Sequence, residues 1–195
     1  HVPKALKRFP FPNDTWRLVV NEPQTAARNM AVDEAILRAV AEGQSPPTLR
    51  FYGWQPRAVS LGYFAHADER LLEACSRRGW DVVRRLTGGA AVLHAHEVTY
   101  SVCLRQADLP YGGGPKSAYQ QLCGALWEGL KLLGVVLDTA TAGSQESPVE
   151  SREPTDYALN CFAQTTPADL SWRGRKLVGS AQARKWGAIL QHGSI

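Results

Sequence analysis

Asn160 to Ile195 reads NCFAQTTPADLSWRGRKLVGSAQARKWGAILQHGSI, and its second half decides the fold. Asp169 to Trp172, Lys176 to Arg184 and Ile189 to Gln191 each read as a strand, with Arg173-Gly174 as a hairpin turn between the first two. Strands joined by turns this short can only run antiparallel. The same stretch carries one cysteine, Cys161, and Lys176 fifteen positions later. A run of small residues, Gly179-Ser180-Ala181, follows, and then His192-Gly193-Ser194.

Upstream, strands alternate with three helical segments. Thr15 to Val20 reads as a first strand and Ala26 to Glu42 as a helix, with Val32, Ile36 and Val40 one turn apart and Leu37 beside them. Thr48 to Trp54 and Ala58 to Gly62 read as two strands joined across Gln55-Pro56-Arg57 in a hairpin-like turn. Asp68 to Gly79 is a second helix with Leu71, Leu72 and Cys75 inward. Trp80 to Arg85, Ala90 to Leu93 and Glu97 to Leu104 are strands; in the last, Val98, Tyr100 and Val102 share one face. Pro115 opens a third helix to about Leu133, with Leu122, Leu126, Leu130 and Leu133 as its buried stripe. Val135 to Leu137 and Tyr157 to Phe162 read as short strands. Thr139 to Pro154, poor in apolar residues, reads as a long mobile loop. Strands joined mostly by turns, with three helices, predict an α+β fold: a mixed, largely antiparallel sheet with helices packed on it.

At 195 residues the chain suits one domain. With 44% hydrophobic and 21% charged residues it has the composition of a globular protein. A net charge of +4 is compatible with an acidic protein partner and too small to argue for nucleic acid. No apolar run reaches the roughly 18 residues of a membrane span, and no signal peptide is visible, so a cytoplasmic protein is expected. Cys75, Cys103, Cys123 and Cys161 form no CxxC pair, which argues against zinc and for reduced thiols. The chain starts at His1 and its only methionine is Met30, so residues 1–14 are set aside as an N-terminal tail or expression remnant.

Two constellations carry chemistry. The first is Arg84-Arg85-Leu86-Thr87-Gly88-Gly89-Ala90-Ala91-Val92-Leu93-His94. Paired glycines after a strand let backbone N–H groups approach a ligand, and two arginines can engage a phosphate or carboxylate. The same residues also suit a hairpin turn with solvated arginines. The second is Cys161 with Lys176. A free thiol with pKa near 8.5 is mostly protonated at neutral pH, and a nearby ammonium lowers that value. Cys75, Cys103 and Cys123 sit on apolar patterns and read as core, whereas Cys161 follows a polar loop. His192 or His94 could serve as the base in place of Lys176.

RRLTGGAAVLH, EVTYSV, GRKLVGSAQ and LQHGSI, in this order, resemble the lipoate/biotin protein ligase superfamily over roughly Thr15 to Ile195. NCF followed by GRKLVGSAQARKWGAILQHGSI is most similar to its cysteine-dependent octanoyltransferases. The resemblance implies the catalytic-domain fold of that superfamily over residues 15–195. It further implies an octanoyl thioester on Cys161, and a Lys176 that lowers the thiol pKa. The acyl pocket would be lined by Arg84, Arg85, Thr87, Gly88, Gly89, Ala90, Val92, His94, Gly179, Ser180, Ala181, His192 and Gly193. The implied donor is acyl carrier protein, and the implied acceptor is glycine-cleavage H protein or another lipoyl domain. No metal or other cofactor is implied, nor any nucleic-acid or membrane partner, and a monomer is the simplest assembly. Two other functions remain open: an ATP-dependent lipoate–protein ligase, and a non-catalytic acyl-binding subunit. In the family the domain continues past the His-Gly-Ser segment. The resemblance therefore implies a chain incomplete at its C-terminal side, truncated or completed by a second polypeptide.

Overall fold

The computed structural model of the chain describes residues 15–136, 170–173 and 175–195. The expected loop at Thr139 to Pro154, the strand at Tyr157 to Phe162 and Cys161 itself lie outside these residues.

A six-stranded sheet has the order β1 (Arg17–Val20), β2 (Thr48–Tyr52), β6 (Thr99–Arg105), β9 (Ala188–Ser194), β8 (Arg175–Lys185), β7 (Leu170–Trp172). A three-stranded sheet has the order β4 (Asp81–Arg84), β3 (Ala58–Leu61), β5 (Val92–His94). Two pairs are parallel, β1 with β2 and β3 with β4. Each is bridged by a helix, α1 (Ala26–Ala41) and α2 (Glu69–Arg77), as a parallel crossover requires. Among the described residues the other strand pairs are antiparallel, so the large sheet is mixed and mostly antiparallel, as the sequence predicts.

The centre of the large sheet is closed on both faces. Tyr100, Val102, Leu104 and Ile189 pack with Ala118, Leu122 and Leu130 of α3 (Pro115–Leu132). On the other face Cys103, Ala188 and Leu190 pack against Ile36, Leu37 and Val40 of α1. Leu37, Leu104, Ile189 and Leu190 are fully buried, and burial of such a side chain contributes roughly 1.5–3 kcal/mol relative to exposure. α1 starts where the Thr25 hydroxyl accepts from the Arg28 N–H. α2 starts at Asp68, whose carboxylate accepts from the Arg70 N–H.

The structure corrects five local expectations. β2 and β3 are not a hairpin: β2 is paired on both edges, by β1 and β6, so the chain passes through Gln55-Pro56-Arg57 into the second sheet. Leu72 lies a third of a turn beyond the inward Leu71 and is exposed. Leu133 is the C-cap of α3 and is 81% exposed, because the buried stripe ends at Leu130. The strand expected from Glu97 starts only at Thr99; Val98 precedes it, exchanges backbone bonds with Ile195, and is exposed. Val135 and Val136 form no strand; the Val135 N–H turns back to the Leu130 carbonyl.

Candidate active site

A cleft of about 560 Å³, counted to its open mouth, lies between the α1 side of the large sheet and the small sheet. Met30, Tyr52, Trp54 and Val92 supply apolar walls, and Lys176, Gly179, Ser180 and Ala181 form the β8 side. Arg85, Gly89, His94, His192 and Gly193 complete it with Ser60, Thr99 and Ser194. Few polar groups set among apolar walls suit a small, largely hydrophobic ligand.

Small residues are required here by close approach. A Cβ on Gly62 would overlap the Gly89 carbonyl, so the glycine loop and the end of β3 touch backbone to backbone. A Cβ on Gly193 would overlap the Gly179 carbonyl and crowd Tyr100 and the Ser180 hydroxyl. Tyr100 Oη lies 2.7 Å from Ser180 Oγ and accepts from Gln191 Nε2 at 3.2 Å, which fixes the small-residue strand from behind.

Two histidines stand in matching surroundings. His192 Nδ1 lies 3.2 Å from Asp33 Oδ2, and its Nε2 lies 2.6 Å from Thr87 Oγ1. His94 Nδ1 lies 2.6 Å from Glu97 Oε1, and its Nε2 lies 2.8 Å from Ser60 Oγ. In neutral form each ring donates from Nδ1 to its carboxylate and accepts at Nε2 from a hydroxyl. Both hydroxyls are oriented by Arg85: Nε donates to Thr87 Oγ1 at 3.2 Å and Nη1 to Ser60 Oγ at 3.1 Å. It also donates to the carbonyls of Ser60, Gly88 and Ala90. Arg85 therefore pins the glycine loop and links two carboxylate–histidine–hydroxyl chains. The Trp54 ring stacks on His94 with centroids 4.0 Å apart and donates from Nε1 to Thr99.

Electrostatics follow from burial and these partners. Burial lowers the pKa of His94, and the charges of Arg85 and His192 add to this against the pull of Glu97. His94 is therefore held neutral in the fold. Burial alone would raise the Asp33 pKa, but the His192 hydrogen bond and charge, Arg50 and Ser101 outweigh it and hold the carboxyl below its usual range. Glu97 shows the same balance: burial raises it, and the bonds from His94 and the Ala95 N–H lower it.

Asp33 and Arg50 are buried behind the cleft, which Asp33 reaches through Tyr52 and His192. Asp33 Oδ1 accepts from Arg50 Nη1 at 2.7 Å and Ser101 Oγ at 2.8 Å, and Oδ2 accepts from Tyr52 Oη at 2.9 Å. Arg50, fully buried, also donates to Asn21 Oδ1, Asn29 Oδ1 and the Asn29 carbonyl, and lies over the Tyr52 ring.

Of the residues expected to hold a ligand, Arg85, Gly89, Val92, His94, Gly179, Ser180, Ala181, His192 and Gly193 line the cleft together with Lys176. Thr87, Gly88 and Ala90 stand behind it, binding His192 or Arg85. Arg84 points elsewhere, its Nη1 donating to the carbonyls of Gly62, Tyr63 and Ala65. Met30, Tyr52, Trp54, Ser60, Asp33, Arg50 and Glu97 were not singled out from the sequence. Asn29 and Asp33 are one turn apart on the stripe that also holds Leu37, and polar residues on a core stripe are the signal that could have found them. Among the described residues no group of three or more His, Cys, Asp or Glu side chains could hold a metal ion.

The two sheets, their helices and this cleft define an α+β domain of the lipoate/biotin protein ligase type. The chain belongs to the family of the lipoyl protein ligase A/B catalytic domain, whose model matches residues 25–195. It is 48% identical over 191 residues to Octanoyltransferase LipM of Moorella thermoacetica, covering 95% of this chain and 66% of that relative's length. Protein Ta0514 of T. acidophilum, solved with bound lipoic acid, superposes with a TM-score of 0.65 at 28% identity, covering 92% of this chain and 67% of that one. A lipoate-protein ligase A bound with ATP gives 0.66 at 28% identity, covering 92% and 65%. The chain thus spans about two thirds of the length of these relatives. Among the described residues, no helix is long and apolar enough to cross a membrane.

Proposed function

We propose that this chain carries the acyl-transfer centre of an octanoyltransferase. It moves an octanoyl group from acyl carrier protein to a lysine of a lipoyl domain, such as that of glycine-cleavage H protein, through a thioester on Cys161. The observation that carries this reading is the place of Lys176 on the wall of an apolar cleft, beside Gly179 to Ala181. The identity to an octanoyltransferase points the same way.

The chemistry divides into two halves. The Cys161 thiolate, with Lys176 as its ammonium partner, attacks the donor thioester carbonyl. The donor thiolate is expelled and takes a proton from Lys176, leaving an acyl-cysteine. The acceptor amine then attacks that carbonyl, Cys161 leaves as thiolate, and the amine proton returns to Lys176. In an antiparallel strand alternate N–H groups point away from each neighbour, so β8 directs a subset around Gly179 to Ala181 away from β9, where they can stabilise the oxyanion. The histidines are poorly disposed to be the base, because each Nε2 already faces a hydroxyl. As proposed, the reaction needs no metal and no nucleotide; Arg85 spends its donors on the protein rather than on a phosphate. A soluble cytoplasmic monomer suits this role.

Incubation with octanoyl-acyl carrier protein in the absence of ATP is expected to add one octanoyl group to the intact mass. Acylation that requires ATP and free lipoate would assign ligase chemistry instead. Lys176→Met tests the second role. Without the ammonium the thiol reverts toward its free pKa of about 8.5, so acylation at neutral pH is expected to slow by roughly 10- to 30-fold. The acylation rate should recover above about pH 9, where the thiolate forms unaided. An unchanged rate–pH profile would remove Lys176 from the proposed role.

A further inference from the structure

On the α1 side of the large sheet, beyond the cleft, the surface carries an exposed ladder of rings and cations that the chemistry above does not use. The Arg38 guanidinium lies over the Trp186 ring at 4.1 Å, and Lys185 Nζ lies 5.8 Å from the same ring. Lys185 Nζ also lies 5.0 Å from the Tyr63 ring, which meets Phe64 edge to face at 4.9 Å. Phe64 is 89% exposed, Trp186 49% and Tyr63 45%. Apolar rings rarely gather on a surface without a partner, and aromatic and arginine side chains are what protein interfaces concentrate.

The ladder is built to stay in place. Trp186 sits at the tip of the β8–β9 hairpin with φ +53° and is followed by Gly187 at φ +77°. That geometry suits asparagine or glycine, and a bulky side chain there is an outlier that folding alone does not call for. Arg84 Nη1 binds three carbonyls of the Gly62–Ala65 segment and so fixes the loop that presents Tyr63 and Phe64. The Tyr63 N–H donates to the Thr87 carbonyl at 2.8 Å, and the Thr87 hydroxyl holds His192. The ladder is thus joined to the back wall of the cleft.

We propose that this ladder is the docking surface for the acyl donor, an acidic protein that carries the acyl group as a thioester on a flexible arm. The inference rests on the transfer reading given above. Charge selects an acidic partner. Among the described residues Lys185 has no acidic partner and Arg38 is answered only by Glu34, and the chain as a whole carries +4. Reach selects the donor over the acceptor. Ala181, Ala183 and Lys185 pair with His192, Leu190 and Ala188, so all face the α1 side of the sheet. Lys185 therefore lies four residues, roughly 13 Å, along β8 from the Ala181 wall of the cleft. An acceptor lysine has only a four-carbon stem and must bring its protein body to the mouth. A donor on a long arm can seat its body at this distance.

Direct binding of acyl carrier protein, measured by calorimetry at low and high salt, tests the proposal. Three variants leave the cleft intact. Phe64→Ser removes an exposed ring, Lys185→Glu reverses a charge, and Trp186→Asn keeps the hairpin because asparagine accepts φ above zero. Each is expected to melt as the wild type does and to bind the carrier at least about tenfold more weakly, on the scale of an interface hot spot. Wild-type binding should weaken as salt rises. Variants that bind the carrier as tightly as the wild type would overturn the proposal, and so would a ladder that binds single-stranded oligonucleotide in place of the carrier. Acylation from octanoyl-pantetheine separates the two readings. If the ladder variants lose the carrier but the wild type is acylated by neither donor, docking stands and the transfer reading fails. If the small thioester acylates every variant and the wild type shows no preference for the carrier, transfer stands and the docking surface fails.

Discussion

Cys161→Ser is expected to yield no octanoyl adduct on exposure to octanoyl-acyl carrier protein and to lower transfer to a lipoyl domain by at least about 10⁴-fold, the scale on which removal of a nucleophile acts. The replacement is nearly isosteric, but a lysine ammonium can draw a thiol into its ionised range and cannot do so for an aliphatic hydroxyl. The background is low because the described cysteines are poor competitors. Cys75, Cys103 and Cys123 are all buried. Burial pushes up the thiol pKa of Cys75 and of Cys103, so both stay protonated at neutral pH. Intact mass before and after hydroxylamine, which cleaves a thioester, reads the result directly. A hydroxylamine-labile adduct that persists in Cys161→Ser would place the nucleophile elsewhere and end the assignment.

The strands of the C-terminal segment were legible because their signal is local. The strand over Lys176 to Arg184 and the short turn at Arg173-Gly174 need no distant partner to be read. The β2–β3 connection misled for the converse reason. Gln55-Pro56-Arg57 is good turn chemistry, but only the pairing of β2 with both β1 and β6 shows that β3 must leave for another sheet. Arg84 and Arg85 make the same point within the site. Adjacent in a strand, they must point to opposite faces, yet nothing in the sequence tells which is inward. The structure buries Arg85 among the carbonyls of the glycine loop and turns Arg84 to the Gly62–Ala65 segment. The apolar walls escaped notice because Met30, Tyr52 and Trp54 come from α1 and the end of β2, far in sequence from the glycine loop and β8.

Asp33→Ala should be the most damaging change to the fold outside the apolar core. Removing one member of a buried ion pair costs about 3–5 kcal/mol, because the other charge stays behind without compensation. Here the Arg50 guanidinium would be left fully buried, and Tyr52, Ser101 and His192 would each lose an acceptor. That loss is a large share of the roughly 5–15 kcal/mol that holds a domain together. Asp33→Asn keeps the shape, removes the charge and should fall between the two. Adding Arg50→Met to Asp33→Ala should return part of the loss, since the stranded cation goes with it. The pH dependence identifies the ionised form. The Asp33 pKa is lower in the fold than in the unfolded chain, so its contribution is fully present above the unfolded value of about 3.9 and is lost as pH falls through the folded value. His94 adds a separate loss that begins as pH drops below about 6.5, because its folded pKa is also lowered, and this loss is common to wild type and variant. In urea titrations the gap between wild type and Asp33→Asn should therefore hold steady from neutral pH to about 4 and close below it. A gap that persists in stronger acid, or a loss of under about 1 kcal/mol for Asp33→Ala, would mean that the carboxylate does not anchor α1 to the sheet. In that case the Asp33–His192–Thr87 chain would be a consequence of the cleft's shape rather than its cause.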